Sequence, residues 1–152
     1  MSATGKRRKS RELAMQMLFQ ADVGKQTEAQ VLKNFWTARE EVDEETRGFS
    51  EDIFRVATAR QEEIDQLIES NSVHWRLQRM PAVDRNLLRT AVAEMLGFPS
   101  TPVAVVINES LEIARRYSAP ESLNFLNGVL DAIARQRKSS AQLSPAAVEE
   151  EK

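Results

Sequence analysis

The sequence has no cysteine, five glycines, five prolines and one histidine among its 152 residues. Without cysteine, neither a disulfide nor a thiolate metal site can form, and a single histidine cannot supply a histidine-based metal site or acid–base pair. Strands joined by frequent tight turns usually need more glycine and proline. The phosphate-binding patterns GxxxxGK[ST] and GxGxxG are also absent. These absences argue against an enzyme and favour a helical protein.

The sequence also lacks long hydrophobic runs. No stretch reaches the roughly 18 consecutive apolar residues that a membrane helix needs, and no apolar segment of a signal peptide follows the basic N-terminus. A hydrophobic content of 41% is nevertheless enough for a sizeable core. The composition therefore predicts a soluble, cytoplasmic protein that forms one ordinary domain.

The N-terminal run Lys6-Arg7-Arg8-Lys9-Ser10-Arg11 is the most distinctive local feature of the sequence. The chain as a whole is slightly acidic, with 21 Lys and Arg against 23 Asp and Glu. A basic pole on an acidic body indicates a surface that binds a polyanion such as a nucleic acid. A solvated, disordered basic tail is the alternative.

Hydrophobic periodicity predicts an all-α fold of about seven helices. Apolar stripes at helical spacing begin near Leu13, Val31, Phe49, Val83, Val103 and Leu123. The stripe over residues 49–68 predicts one long helix, and a short helix is expected near 74–80. We predict one helical domain over residues 1–138, with packed subdomains at about 10–70 and 72–138. A flexible basic N-terminus and a disordered tail over 139–152 complete the prediction.

Three positions carry specific expectations about the helices. Gly24 is expected to end the first helix, because glycine is common directly after a helix C-terminus. Gly128 falls in mid-helix, at a cost of about 1 kcal/mol relative to alanine, which predicts the close approach of a neighbouring helix. Ser118 and Glu121 have the spacing of a capping box at the start of the last helix.

Four segments occur in order along the chain: RRKSRELAMQMLFQ (7–20), PAVDRNLLR (81–89), VVINESLEIARRY (105–117) and SLNFLNGVLD (122–131). Together they resemble the NusB family of transcription antitermination proteins in both order and spacing. The resemblance covers about residues 7–135 and implies a NusB-like fold of two packed helical subdomains. The segment 70–80 departs from the family pattern.

The resemblance implies that the protein binds the single-stranded boxA element of nascent RNA together with the ribosomal protein NusE. It further implies a place in an RNA polymerase antitermination complex that promotes read-through in ribosomal RNA operons. It implies no enzymatic activity and no cofactor, and it leaves a homodimer open. The expected RNA-binding residues are Lys6, Arg7, Arg8, Lys9, Arg11, Phe19, Glu121, Ser122 and Phe125. The expected partner-binding residues are Asp84, Arg85 and Arg89.

The residues themselves leave alternatives open. Single-stranded RNA needs cations for its phosphates and planar faces for its bases, and Phe19, Tyr117 and Phe125 are the candidate faces. Phe19 and Phe125 could equally belong to the core, and Asp84 could cap its helix. Two other functions remain: a helical protein-interaction adaptor without specific RNA binding, and the RNA-positioning domain of a ribosomal RNA methyltransferase.

Overall fold

The helical periodicity of the sequence produces seven α-helices in the part of the chain that the computed structural model describes, residues 3–73 and 75–143. They are α1 (Ala3–Val23), α2 (Glu28–Asn34), α3 (Glu44–Ala59), α4 (Gln61–Ser70), α5 (Ala82–Gly97), α6 (Val103–Tyr117) and α7 (Ser122–Leu143). Two short 3₁₀ helices cover Phe35–Ala38 and Leu77–Arg79. The predicted all-α fold is confirmed. None of the helices described is long and apolar enough to cross a membrane.

Helix α5 lies at the centre of the fold. Every residue from Asn86 to Met95 is buried, and α5 packs against α1, α3, α4, α6 and α7. A helix that is surrounded on all sides can bury apolar residues around its whole circumference. The buried apolar residues of both predicted subdomains form one continuous core around α5. The division at residues 70–80 therefore stays an interpretation.

The long helix predicted over residues 49–68 is two helices in the structure. Asp43 caps α3 by accepting a hydrogen bond from the Thr46 amide at 2.7 Å, and α3 ends where Arg60 leaves helical geometry (φ −113°, ψ 24°). The break redirects α4 so that Ile64 and Ile68 are both fully buried. The short helix expected near 74–80 is the 3₁₀ helix Leu77–Arg79, and His74 lies outside the described residues.

Both chain ends differ from the sequence-based expectation. Helix α1 begins at Ala3, so the basic run is helical rather than flexible. The physical reason is that carboxylates of α3, α5 and α6 hold its side chains, as described below. At the other end, residues 139–143 continue α7. The rest of the predicted disordered tail, residues 144–152, lies outside the described residues.

The two glycine expectations have opposite outcomes. Helix α1 ends at Val23, directly before Gly24 as predicted, and a Cβ atom on Gly24 would lie 2.5 Å from the Gln20 carbonyl oxygen. The next residue, Lys25, has a positive φ of 54°. The expectation for Gly128 is wrong, because a Cβ atom there would meet nothing within 4 Å. Within residues 3–73 and 75–143, no neighbouring helix approaches this glycine.

Candidate nucleic-acid interface

The first part of the basic run faces the start of α3. The Lys6 ammonium lies 3.4 Å from a carboxylate oxygen of Asp43 and 3.9 Å from one of Glu45. The Arg7 guanidinium lies 3.9 Å from the centre of the Phe49 ring, a cation–π contact. Lys6 therefore already has acidic partners, whereas Arg7 is exposed and, among the described residues, contacts an aromatic ring but no carboxylate.

Arg8 points the other way, toward α6. Its Nε and Nη2 atoms donate to the two carboxylate oxygens of Glu109 at 2.9 and 2.8 Å. The hydrogen bonds from Arg8, and then its charge, hold the pKa of Glu109 below the ordinary value, although partial burial opposes the shift. The Arg8 side chain is 40% exposed, so one edge of the guanidinium still faces solvent.

Arg11 does not reach the surface where an RNA contact was predicted. The residue is 5% exposed, and its Nε and Nη2 atoms donate to Glu94 of α5 at 2.7 and 2.8 Å. Its Nη1 atom lies 3.7 Å from Glu109. Because Glu94 is itself fully buried, this pair joins α1 to the central helix. The structure gives Arg11 a role in the fold.

Like Arg7, the partly exposed Lys9 stays available in the basic run. Among the residues described, no carboxylate contacts it. Helical phase places Lys9, Gln16 and Phe19 on one side of the helix, and Arg8 lies about three turns before Phe19 along that side. We call this side of α1 (Arg8, Lys9, Gln16 and Phe19) the α1 face.

The far end of the α1 face borders an apolar cavity of about 480 Å³. Phe19 (36% exposed) and Tyr117 (37% exposed) both line it. The other lining residues are Met15, Gln16, Gln20, Val23, Gly24, Arg39 and Val83. Two half-exposed rings on an apolar cavity can stack bases of a single strand. The sequence did not point to Arg39 or Val83 at this cavity, because Arg39 stands in no motif and Val83 was assigned only to the apolar stripe of the segment 81–89.

Hydrogen bonds fix the position of Tyr117 at this cavity. Its hydroxyl donates to Glu12 at 3.1 Å and accepts from Gln16 Nε2 at 3.2 Å. Burial, and then the nearby Glu12 carboxylate, raise the pKa of Tyr117. Arg116 also pairs with Glu12 at 2.6 Å. In the sequence, the only signal for the contact with Tyr117 was that Glu12 and Gln16 stand four residues apart, on one face of α1.

The predicted RNA residues of α7 lie beside the start of α5. Ser118 and Ser122 both donate hydroxyl hydrogen bonds to Asp84, at 2.6 and 2.8 Å. The predicted capping box is therefore wrong, because α7 begins at Ser122 and Ser118 binds Asp84 instead. Glu121 is exposed at the turn, and Phe125 is partly buried against the core.

The predicted partner-binding residues are held mainly by contacts within the chain. Asp84 is 2% exposed and its carboxylate is occupied by the two serines. Arg85 binds Asp22 at the end of α1 at 2.6 Å, and Arg89 binds Asp65 of α4 at 2.9 Å and Asp22 at 3.0 Å. Burial of Asp22 opposes ionisation, but hydrogen bonds from Arg85 and Asn86 outweigh it and lower the pKa of this carboxyl. Among the three predicted residues, Arg85 is the most accessible.

Comparison with known proteins identifies the family. The sequence model of the NusB family matches residues 8–135. The chain belongs to the NusB family. The transcription antitermination protein NusB of Koribacter versatilis is 63% identical over 133 residues, which cover 88% of this chain and 91% of that protein. The NusB protein of Anaeromyxobacter dehalogenans is 41% identical over 131 residues, covering 86% and 92%.

Solved structures of NusB proteins have the same fold. Thermotoga maritima NusB superposes with a TM-score of 0.76 at 34% identity, covering 85% of this chain and 90% of that one. A chain from a crystal structure of the antitermination factors NusB and NusE in complex with double-stranded RNA superposes with a TM-score of 0.78 at 25% identity, covering 86% and 97%. The NusB family is thus a family of transcription antitermination factors rather than of enzymes.

Proposed function

We propose that this protein is a transcription antitermination factor that binds boxA-type single-stranded RNA together with NusE. In this proposal the pair acts within an RNA polymerase complex in the cytoplasm and promotes read-through in ribosomal RNA operons. Membership of the NusB family supports the class of function, and the NusB–NusE–RNA structure of a relative supports RNA and NusE as ligands.

The observation that carries the RNA proposal is the α1 face. It places Lys9 and the solvent edge of Arg8 along the same side of the helix as Phe19, and the cavity there brings the Tyr117 ring beside Phe19. Cations for phosphates beside stacking surfaces for bases are what single-stranded RNA requires. Glu121, Ser122 and Phe125 lie at the start of α7, which the Asp84–Ser122 hydrogen bond fixes against α5.

The buried residues have a different place in this proposal. Arg11, Asp84 and Arg89 are at most 9% exposed, so we assign them to the arrangement of α1, α5 and the α6–α7 turn rather than to direct contact. Arg85 keeps an accessible edge and remains our candidate for the NusE contact. In this proposal, Lys6 and Arg7 contact RNA only where the strand passes along the side of α1 that faces α3.

The test is fluorescence anisotropy with a labelled boxA RNA and a scrambled control, with and without NusE, at two salt concentrations. Phe19→Ala is expected to weaken boxA binding by about 1–3 kcal/mol, because one stacked base is lost, whereas Phe19→Tyr keeps the ring. Lys9→Gln is expected to reduce the salt slope by about 0.7, as for one phosphate contact on single-stranded RNA. Lys33→Gln, at an exposed site of α2, is the matched control.

Three results would count against the proposal. Equal affinity for boxA and scrambled RNA, with and without NusE, would leave only a non-specific basic surface and favour an adaptor. A Phe19→Ala variant with unchanged affinity would remove the cavity from the RNA site. Equal effects of Lys9→Gln and Lys33→Gln would show that α1 makes no specific phosphate contact.

A further inference from the structure

An exposed indole lies close in sequence to two exposed arginines that have no ionic partner among the described residues, well away from the basic run. Trp75 is 50% exposed, and Arg76 and Arg79 are both exposed at the 3₁₀ helix Leu77–Arg79. Within the described ranges, no carboxylate, hydrogen-bond acceptor or aromatic ring contacts these three side chains. By contrast, Arg8, Arg11 and the arginines of α5 all bind carboxylates. We call Trp75, Arg76 and Arg79 the Trp75 patch.

The backbone under this patch is well anchored. The Trp75 amide donates to the Ser72 carbonyl at 3.4 Å, and the Ser72 hydroxyl donates to the Trp75 carbonyl at 2.9 Å. The Leu77 amide donates to Glu69 at 3.1 Å, and the Leu77 side chain is 5% exposed. The segment is therefore fixed on both sides of residues 75 and 76 while the indole faces solvent. A fixed backbone lowers the entropy lost when a ligand binds.

We propose that the Trp75 patch is a second contact for single-stranded RNA, outside the α1 face. This inference rests on the proposed function and extends it to a longer stretch of RNA. An exposed tryptophan stacks on any base, and unpaired guanidinium groups bind phosphates or stack on bases. Arginines that no carboxylate neutralises are free for this contact at no cost in broken ion pairs.

The surroundings favour RNA over a protein partner at this patch. A stable protein interface buries about 800 Å² on each partner, with an apolar centre. Here one further large apolar side chain, Val73, is exposed nearby, and the adjacent exposed residues Glu69, Ser70 and Gln78 are charged or polar. The patch can therefore stack one or two bases but offers little for a hydrophobic interface.

A chain of contacts connects the patch with the cavity of the α1 face. Arg85 donates to the Met80 carbonyl at 3.1 Å and binds Asp22 on α1. The residue after Asp22, Val23, lines the cavity together with Phe19. Met80 directly follows Arg79 and lies five residues after Trp75, a span of at most about 17 Å. We infer from these contacts that an RNA longer than the stretch on the α1 face is needed to reach the Trp75 patch as well.

The first test compares a boxA-length RNA with the same RNA extended on both sides, using the full chain with NusE. Trp75→Ala is expected to weaken binding of the extended RNA by about fivefold to tenfold, the low end for a stacked base, with Trp75→Phe close to wild type. Arg76→Gln with Arg79→Gln is expected to lower the salt slope by about 1.4. Binding of the short RNA stays unchanged in each case.

A matched control uses Arg55→Gln with Arg135→Gln, two arginines that are 51% and 74% exposed on other helices. This double variant removes the same charge, so it is expected to leave the affinity for the extended RNA and its salt slope near wild type. An effect as large as that of the patch variant would indicate a general loss of charge and overturn the assignment.

Intrinsic fluorescence provides a second readout, because the chain has two tryptophans. Trp36→Phe leaves Trp75 as the reporter, and stacked RNA is expected to quench it. Trp75→Phe leaves Trp36, whose indole N–H donates to Glu51 at 2.8 Å and which is not expected to respond. Quenching of Trp75 would support the patch even if boxA selectivity failed, which separates the two proposals.

Two further outcomes would overturn the inference while leaving the proposed function intact. One is an unquenched Trp75 together with unchanged affinity of the patch variants for the extended RNA. The other is a loss of NusE affinity in Trp75→Ala with RNA binding preserved, which would make the patch a protein contact.

Discussion

Two arginines in the same basic run are expected to respond in opposite ways to substitution. Arg11 is 5% exposed and forms a bidentate ion pair with the buried Glu94. Arg7 is exposed and makes a cation–π contact with the Phe49 ring. Arg11→Met therefore tests the fold, and Arg7→Gln tests the RNA surface. A sequence-based interpretation that treats the run as one basic arm predicts the same effect for both.

The expected magnitudes follow from burial. Removing one member of a buried ion pair leaves the other charge uncompensated, at a cost of about 3–5 kcal/mol. That is a large share of the roughly 5–15 kcal/mol that stabilises a domain. The double variant Arg11→Met with Glu94→Met removes both charges and is expected to recover most of the loss. Arg7→Gln gives up an exposed cation–π contact worth about 0.5–1 kcal/mol.

Urea unfolding followed by circular dichroism, combined with RNA binding at several salt concentrations, separates the two residues. Arg7→Gln is expected to reduce the salt slope by about 0.7 if it contacts a phosphate. The folded Arg11→Met and Glu94→Met double variant is expected to keep the wild-type slope. The reasoning fails if Arg11→Met unfolds at the wild-type urea concentration, or if the stable double variant loses RNA affinity while Arg7→Gln does not.

Three further predictions concern single sites. The lowered pKa of Glu109 means that its ion pair contributes full stability above the ordinary value of 4.5 and loses it as the pH falls through the folded-state pKa. The unfolding temperature of Glu109→Gln should therefore fall less than that of the wild type as the pH is lowered through this range. The same pH dependence in both proteins would contradict a stabilising Arg8–Glu109 pair. Gly128→Ala should raise the free energy of unfolding by about 0.5–1 kcal/mol in urea unfolding, because glycine is less favourable than alanine inside a helix and the added methyl meets nothing within 4 Å; a loss of stability would contradict this. Asp84→Ala leaves the hydroxyls of Ser118 and Ser122 without their acceptor and should cost about 1–3 kcal/mol in urea unfolding, whereas a purely surface role for Asp84 would leave stability unchanged.

The fold was largely predictable because helix periodicity is a local property. The stripes starting at Leu13, Val83 and Val103 each became one helix, and Gly24 ended the first one. The break at Arg60 was not predictable, since the apolar stripe continues across it and only packing against α5 requires a change of direction. The open surroundings of Gly128 could not be predicted from the sequence either, because a glycine that packs against a helix and one that faces solvent occur in the same sequence pattern.

The candidate site was less predictable because ion pairs join residues that are far apart in sequence. Arg8 and Glu109 are separated by 101 positions, and Arg11 and Glu94 by 83. Counting charges along α1 suggested five available cations, whereas packing commits Lys6, Arg8 and Arg11 to carboxylates. The fold decides which cations of a run remain free.

These pairings bear on how the protein would achieve RNA binding. A phosphate that replaces Asp43 or Glu109 as the partner of a cation exchanges one anion for another, and the partly exposed Lys6–Asp43 pair contributes only about 0–1 kcal/mol. The basic run therefore adds little Coulombic affinity beyond that of Lys9 and Arg7. Stacking on Phe19 and Tyr117 must provide more of the binding energy, and a second RNA-binding protein held nearby raises the effective concentration of the strand. From the charge arrangement of α1 we therefore expect the protein to bind RNA weakly alone and strongly together with NusE.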